Sequence, residues 1–195
     1  VSIITGVYNI DMSADFLIRL IADYSVIAVV LLGAWALLFR IPKGQRFKAY
    51  SRILMAGLTA YLIAKFLASV YQPSDLRPFE LLGVDPGASY LDNPGFPSDH
   101  ALFVTAIAAA VWFETRMKKL SIVLATLVVV VCLGRVLALV HTPFDVIAGV
   151  AIALVGALWY SNEPRTINEK REIHGHGKSH NRRTNSSRKT VVGES

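Results

Sequence analysis

Residues 120–160 read LSIVLATLVVVVCLGRVLALVHTPFDVIAGVAIALVGALWY. Arg135 and Asp145 are the stretch's two full charges, and they flank a short polar turn, His141-Thr142-Pro143, that divides two apolar runs, 120–140 and 144–160. A helix rises about 1.5 Å per residue, so about 20 apolar residues cross about 30 Å of hydrocarbon. Both runs are of that order, and neither alternates with the period of two that a barrel strand requires. The stretch therefore reads as a membrane hairpin of two helices joined by a tight turn.

Three further apolar stretches precede it: 20–39, with Asp23 near its start; 53–71, which contains Lys65; and 98–113, which is short and rich in Ala. The expected fold is all-α, a polytopic membrane helix bundle of about five transmembrane helices. Composition agrees. The chain has 195 residues, 53% hydrophobic and 17% charged, with mean hydropathy +0.46. A soluble domain carries about 25% charged residues. Extensive disorder is excluded, and apolar blocks of membrane-spanning length argue against a soluble globule. The single cysteine, Cys132, excludes a disulfide framework within the chain.

Loop charge gives an orientation. The connection 40–52 holds Arg40, Lys43, Arg46, Lys48 and Arg52 and no acid, and the next basic connection holds Arg116, Lys118 and Lys119 against Glu114. The connection 72–97 holds Arg77 against Asp75, Glu80, Asp85 and Asp92. Basic loops stay in the cytoplasm, which places the N-terminus outside and the C-terminus inside. Residues 1–19 mix Ile3, Ile4, Val7, Ile10, Phe16 and Leu17 with Asp11, Asp15 and Arg19, and fit an interfacial segment rather than a span or a cleavable signal peptide. Residues 20–160 form the membrane-embedded domain. Residues 161–195 read as a disordered basic cytoplasmic tail. Its His174, His176 and His180 also fit a metal site, but a flexible polar tail is the plainer account. The positive-inside pattern explains the pI of 9.6 without nucleic acid. Membrane lipids are the expected contact, and oligomeric state is not legible.

A charge inside a span costs roughly 2.5–3.5 kcal/mol, so each needs a reason. With this topology Lys65, Arg77, Arg135, His141, Asp145 and the trio Ser98-Asp99-His100 collect at one membrane face. Thr142-Pro143-Phe144-Asp145 and Phe96-Pro97-Ser98 are helix-start signals. Helix N-termini and fork-shaped arginines both suit a phosphate group. Two histidines beside such a site suit phosphoryl transfer without a metal: one attacks phosphorus, the other protonates the leaving oxygen. Asp145, four residues after His141, is placed to accept its ring N–H. Plainer readings stand beside these. Lys65 fits a snorkelling lysine, Asp145 and Ser98 fit helix caps, and His141 fits a satisfied interfacial histidine. Their coincidence on one face favours the chemistry.

Arg77-Pro78, then Pro97-Ser98-Asp99-His100, then Gly134-Arg135 with His141 and Asp145 at fixed spacing together resemble the three motifs of the type-2 phosphatidic-acid phosphatase superfamily. The resemblance spans 53–160 and extends to the first helix as well. The Asp99 variant of the second motif, the small size and the five spans are similar to the bacitracin-resistance type of undecaprenyl-diphosphate phosphatase. The family's first motif has a lysine where Val70 stands, and its third opens with serine where Gly134 stands. The resemblance implies that His141 is the nucleophile, Asp145 its orienter, and His100 the acid and then the base. It also implies that Arg77, Arg135 and Ser98, with Lys65, Asp99 and Pro78 beside them, bind the substrate. No metal or cofactor is implied. The expected function is hydrolysis of the terminal phosphate of undecaprenyl diphosphate on the outer face of a bacterial inner membrane, recycling the carrier lipid for cell-wall synthesis. Phosphatase or phosphotransferase action on phosphatidate, phosphatidylglycerophosphate or lipid A, or lipid-phosphate binding or transport without catalysis, are the alternatives.

Overall fold

The computed structural model describes residues 16–74, 76–90 and 95–161. The readings of residues 1–15 and of the tail beyond 161, its histidines included, lie outside the described residues. Among the described residues every regular element is helical. Helix α1 runs Phe16–Phe39 without a break at the expected 19/20 boundary, and it contains a π-helical turn, Leu20–Tyr24. A 3-10 turn, Lys43–Gln45, leads into α2, Arg46–Val70. The short α3, Pro78–Leu82, stands in the long connection. Then come α4, Asp99–Thr115, α5, Lys118–Leu137, and α6, Pro143–Gly156, which ends in the 3-10 turn Ala157–Tyr160.

By length and composition α1, α2, α5 and α6 are each able to cross a membrane. The fifth expected span is different in kind. Helix α4 has 17 residues, about 25 Å at 1.5 Å each, and it packs against all four of the others. Its Ala-rich sequence suits that central position. Ala101, Val104, Ala110 and Val111 are buried, and small side chains let the surrounding helices come close. The helix stops at Arg116, which adopts a left-handed conformation at φ 56°.

Packing follows the same rule elsewhere. The buried residues of α2 are Ala49, Ala56, Ala60 and Ala64, whereas Phe47, Leu54, Leu62 and Phe66 face outward. Among helices in lipid the large apolar side chains have no reason to hide, so contact surfaces are built from small residues. Gly156 is one such contact: a Cβ there would stand 2.5 Å from the Ala56 carbonyl oxygen.

The helices alternate, so the bundle has two ends. At one end Arg52 grips Glu114 with two hydrogen bonds of 2.7 Å. There Arg46 and Tyr50 donate to the last carbonyls of α1 at Leu38 and Leu37, both at 3.1 Å, satisfying groups that a helix end leaves open. The basic connections lie at this end. The other end gathers the start of α1, the end of α2, the start of α4, the end of α5 and the start of α6.

Candidate active site

The long connection is pinned to the turn between α5 and α6. Phe79 N–H donates to the Leu139 carbonyl and Gly87 N–H to the Ala138 carbonyl, each at 3.0 Å. Leu139 takes a left-handed φ of 58° to make this turn. Arg77 then reaches in from the foot of α3. Its Nη1 donates to the Val140 carbonyl at 2.7 Å, one residue before His141. Its guanidinium lies 5.2 Å from the centre of the Tyr90 ring. Pro78 opens α3 directly after it, and the Arg77 backbone N–H is held by the Glu80 carboxylate at 2.6 Å.

The start of α4 locks onto the start of α6. Ser98 is fully buried and caps α4, its Oγ accepting from Ala101 N–H at 3.5 Å. Its own N–H donates to the Asp145 carbonyl at 3.0 Å. That N–H is therefore already engaged in joining the two helix starts. The close approach depends on Gly149, where a Cβ would stand 2.5 Å from the Ser98 carbonyl oxygen. A cis bond joins Phe96 to Pro97.

His141 and Asp145 are both buried. Thr142 and Asp145 form a reciprocal capping box: Thr142 N–H donates to Asp145 Oδ2 at 2.7 Å, and Asp145 N–H donates to Thr142 Oγ1 at 3.2 Å. His141 Nδ1 faces the same Oδ2 at 3.9 Å, too long for a hydrogen bond. That nitrogen has no hydrogen-bond partner among the described residues. The carboxylate thus serves as the cap that the sequence allowed, and stands within a small movement of the ring. In unliganded sites such contacts are often long and tighten on binding. Burial, then the positive charges of Arg135, Arg77 and His100, press the His141 imidazole from 6.5 down to about 3, while the Gly95 backbone pulls the other way. At neutral pH the ring is uncharged, as a nucleophile must be.

Arg135 is 0% exposed. Its Nη1 donates to the Ser89 carbonyl at 2.7 Å and to Asp23 Oδ1 at 3.3 Å. His100, on the first turn of α4, lies within electrostatic reach of Arg135, Asp23, Asp99 and Arg77. Lys65 and Asp99 pair at 3.5 Å and are both half exposed, with Lys65 also 5.5 Å from the centre of the Tyr61 ring. The structure therefore brings Arg77, Ser98, His141 and Asp145 into one buried cluster, with Arg135 and His100 coupled to it by charge. Lys65 and Asp99 are joined to it through the first turn of α4. Among the described residues no group of three or more His, Cys, Asp or Glu side chains is arranged to hold a metal.

Sequence reading missed Asp23, Ser89 and Tyr90 as site residues. Asp23 carried a signal, a charge inside an apolar stretch. Ser89 and Tyr90 carried none, because a loop side chain gains its partner only when the loop folds back.

The profile of the PAP2 superfamily matches residues 47–168, from the first turn of α2 to beyond the end of α6. No curated protein and no solved structure is similar enough to match the chain.

Proposed function

The chain belongs to the PAP2 superfamily, whose members are phosphatases, and from that premise we propose that it is a membrane enzyme removing the terminal phosphate of a polyprenyl diphosphate such as undecaprenyl diphosphate. One observation supports this above the rest. A buried, uncharged His141 stands between a carboxylate 3.9 Å away and two arginines whose charges reach its ring.

In the proposed cycle the substrate's terminal phosphoryl group is held by Arg77 and Arg135, beside the N-terminus of α4. The His141 ring nitrogen opposite the one facing Asp145 attacks phosphorus. The bond to the bridging oxygen breaks, and protonated His100 gives that oxygen its proton, releasing polyprenyl phosphate. Asp145 stabilises the positive ring of the phosphohistidine. Water then attacks phosphorus while His100 takes its proton, and inorganic phosphate leaves with His141 restored. Charge gathers on the equatorial oxygens in both steps, where preorganised donors in a partly dry site act most strongly. Side chains alone perform this cycle, without a metal. The Asp99 variant of the second motif and the compact bundle support the diphosphate as substrate. The positive-inside bias supports a site on the extracytoplasmic face of a bacterial cell membrane.

A second reading, capture of a lipid phosphate without turnover, has the 3.9 Å gap between His141 and Asp145 in its favour. Phosphate release by detergent-purified protein separates the two. The substrates are undecaprenyl diphosphate and phosphatidate, with chelator present. We expect release from the diphosphate, reduced more than ~10³-fold in His141→Ala and in His100→Ala. Preference for phosphatidate would keep the chemistry and replace the substrate. Binding of either lipid without release would establish capture, and full activity in folded His141→Ala would overturn the mechanism.

A further inference from the structure

We propose that Asp23 is a positioning residue for Arg135, so that α1, which lies outside the family-matched stretch, is part of the phosphate site. This rests on the reading of Arg135 as a phosphoryl ligand. A guanidinium removed from water needs acceptors, or its burial is prohibitive. Two acceptors meet at one corner of Arg135, Nη1: the Ser89 carbonyl at 2.7 Å and Asp23 Oδ1 at 3.3 Å. The other carboxylate oxygen of Asp23 accepts from Ser89 N–H at 3.1 Å and from Ser89 Oγ at 2.9 Å. Three segments far apart in the chain thus close into one hydrogen-bonded ring around Nη1. The Nε of Arg135 is buried and has no hydrogen-bond partner among the described residues. A planar fork held at one corner presents its other donors in a fixed direction, which is what a phosphoryl oxygen requires.

A second observation explains how α1 comes so close. A Cβ on Gly134 would stand 2.9 Å from Ala22 Cα and Ala22 N. Any side chain there would push against the backbone of α1. The motif that this stretch resembles opens with serine at that position, and here the volume of that side chain is filled by the helix that brings Asp23. The missing hydroxyl and the arriving carboxylate belong to one contact. Ala22 and Asp23 both lie in the π-helical turn Leu20–Tyr24, and such turns occur often at functional sites because the wider turn re-aims its side chains.

The test is a double-mutant cycle on the full chain in detergent, with dioctanoyl phosphatidate and farnesyl diphosphate as substrates and orthovanadate as the phosphate mimic. Asp23→Asn should lower kcat/KM by about 10- to 100-fold, the cost of a misdirected catalytic group, and weaken vanadate inhibition in parallel. In an Arg135→Ala background the same substitution should cost less than about twofold, because it acts through the arginine. A loss that multiplies equally in both backgrounds, or wild-type activity in Asp23→Asn, would overturn the proposal. Should Asp23→Asn fail to fold, Ser89→Ala decides. It removes one bond onto the carboxylate, and its loss of activity must likewise vanish in Arg135→Ala or the proposal fails. Wild-type activity in Arg135→Ala alone would instead overturn the reading of the phosphate site, a distinct result.

Discussion

His141 shows how one side chain is tuned by burial and by its neighbours together. Its folded-state value of about 3 lies below the ordinary 6.5. The unfolded chain therefore binds the extra proton between those values, and stability declines as pH falls through that window and is full above it. Thermal unfolding in detergent should show a steeper loss of Tm from pH 7 to pH 5 in wild type than in His141→Gln; equal slopes would contradict the assignment. Asp145 caps α6, and a single substitution separates that cap from its proposed role of orienting His141. Asn at this position still offers an oxygen to Thr142 N–H, so Asp145→Asn should keep the cap and a near-native Tm. Phosphate release should nevertheless fall by about 10²- to 10⁴-fold, as when a histidine loses the carboxylate that orients it. If activity persists, the carboxylate is a cap and nothing more.

At the scale of elements, the site depends on how tightly α4 and α6 cross. A methyl group at Gly149 meets the Ser98 carbonyl at 2.5 Å, so Gly149→Ala should destabilise by about 1–3 kcal/mol through overpacking and lower activity with it. Gly57 on α2 has nothing within 4 Å of its would-be Cβ. Gly57→Ala should leave activity intact and gain up to about 1 kcal/mol from helix propensity. Parallel melting curves with activity assays check both. Helix starts were the most legible elements, because Thr142-Pro143 and Pro97-Ser98 carry local capping chemistry, and the structure caps both helices as expected. The central place of α4 was not legible. Its shortness and Ala content showed, but which helices surround it depends on packing across the whole chain. The Arg135–Asp23 contact joins residues 112 apart, and no local pattern encodes it. The 3.9 Å gap between His141 and Asp145 was likewise out of reach, because a spacing of four residues fixes a neighbourhood and not a hydrogen bond.

The molecule as a whole is sorted into a basic end, clasped by Arg52 and Glu114, and an end that gathers the candidate chemistry. The positive-inside rule turns that sorting into a proposed orientation, with the basic end in the cytoplasm. In a Cys132→Ala background, an impermeant thiol reagent applied to intact cells should label Asp85→Cys and leave Gln45→Cys unlabelled until the membrane is opened; the reverse pattern would invert the topology. The all-helical bundle was readable from apolar runs alone, since hydrocarbon admits few backbone solutions. The family-matched stretch begins at residue 47, whereas the carboxylate bound to Arg135 comes from residue 23. The family-matched stretch and the contacts of Arg135 therefore have different borders. A fragment cut at the border of likeness would retain every motif yet leave Nη1 of a buried arginine with the Ser89 carbonyl alone, stripped of its carboxylate, so anyone grafting or trimming this protein should carry the first helix along.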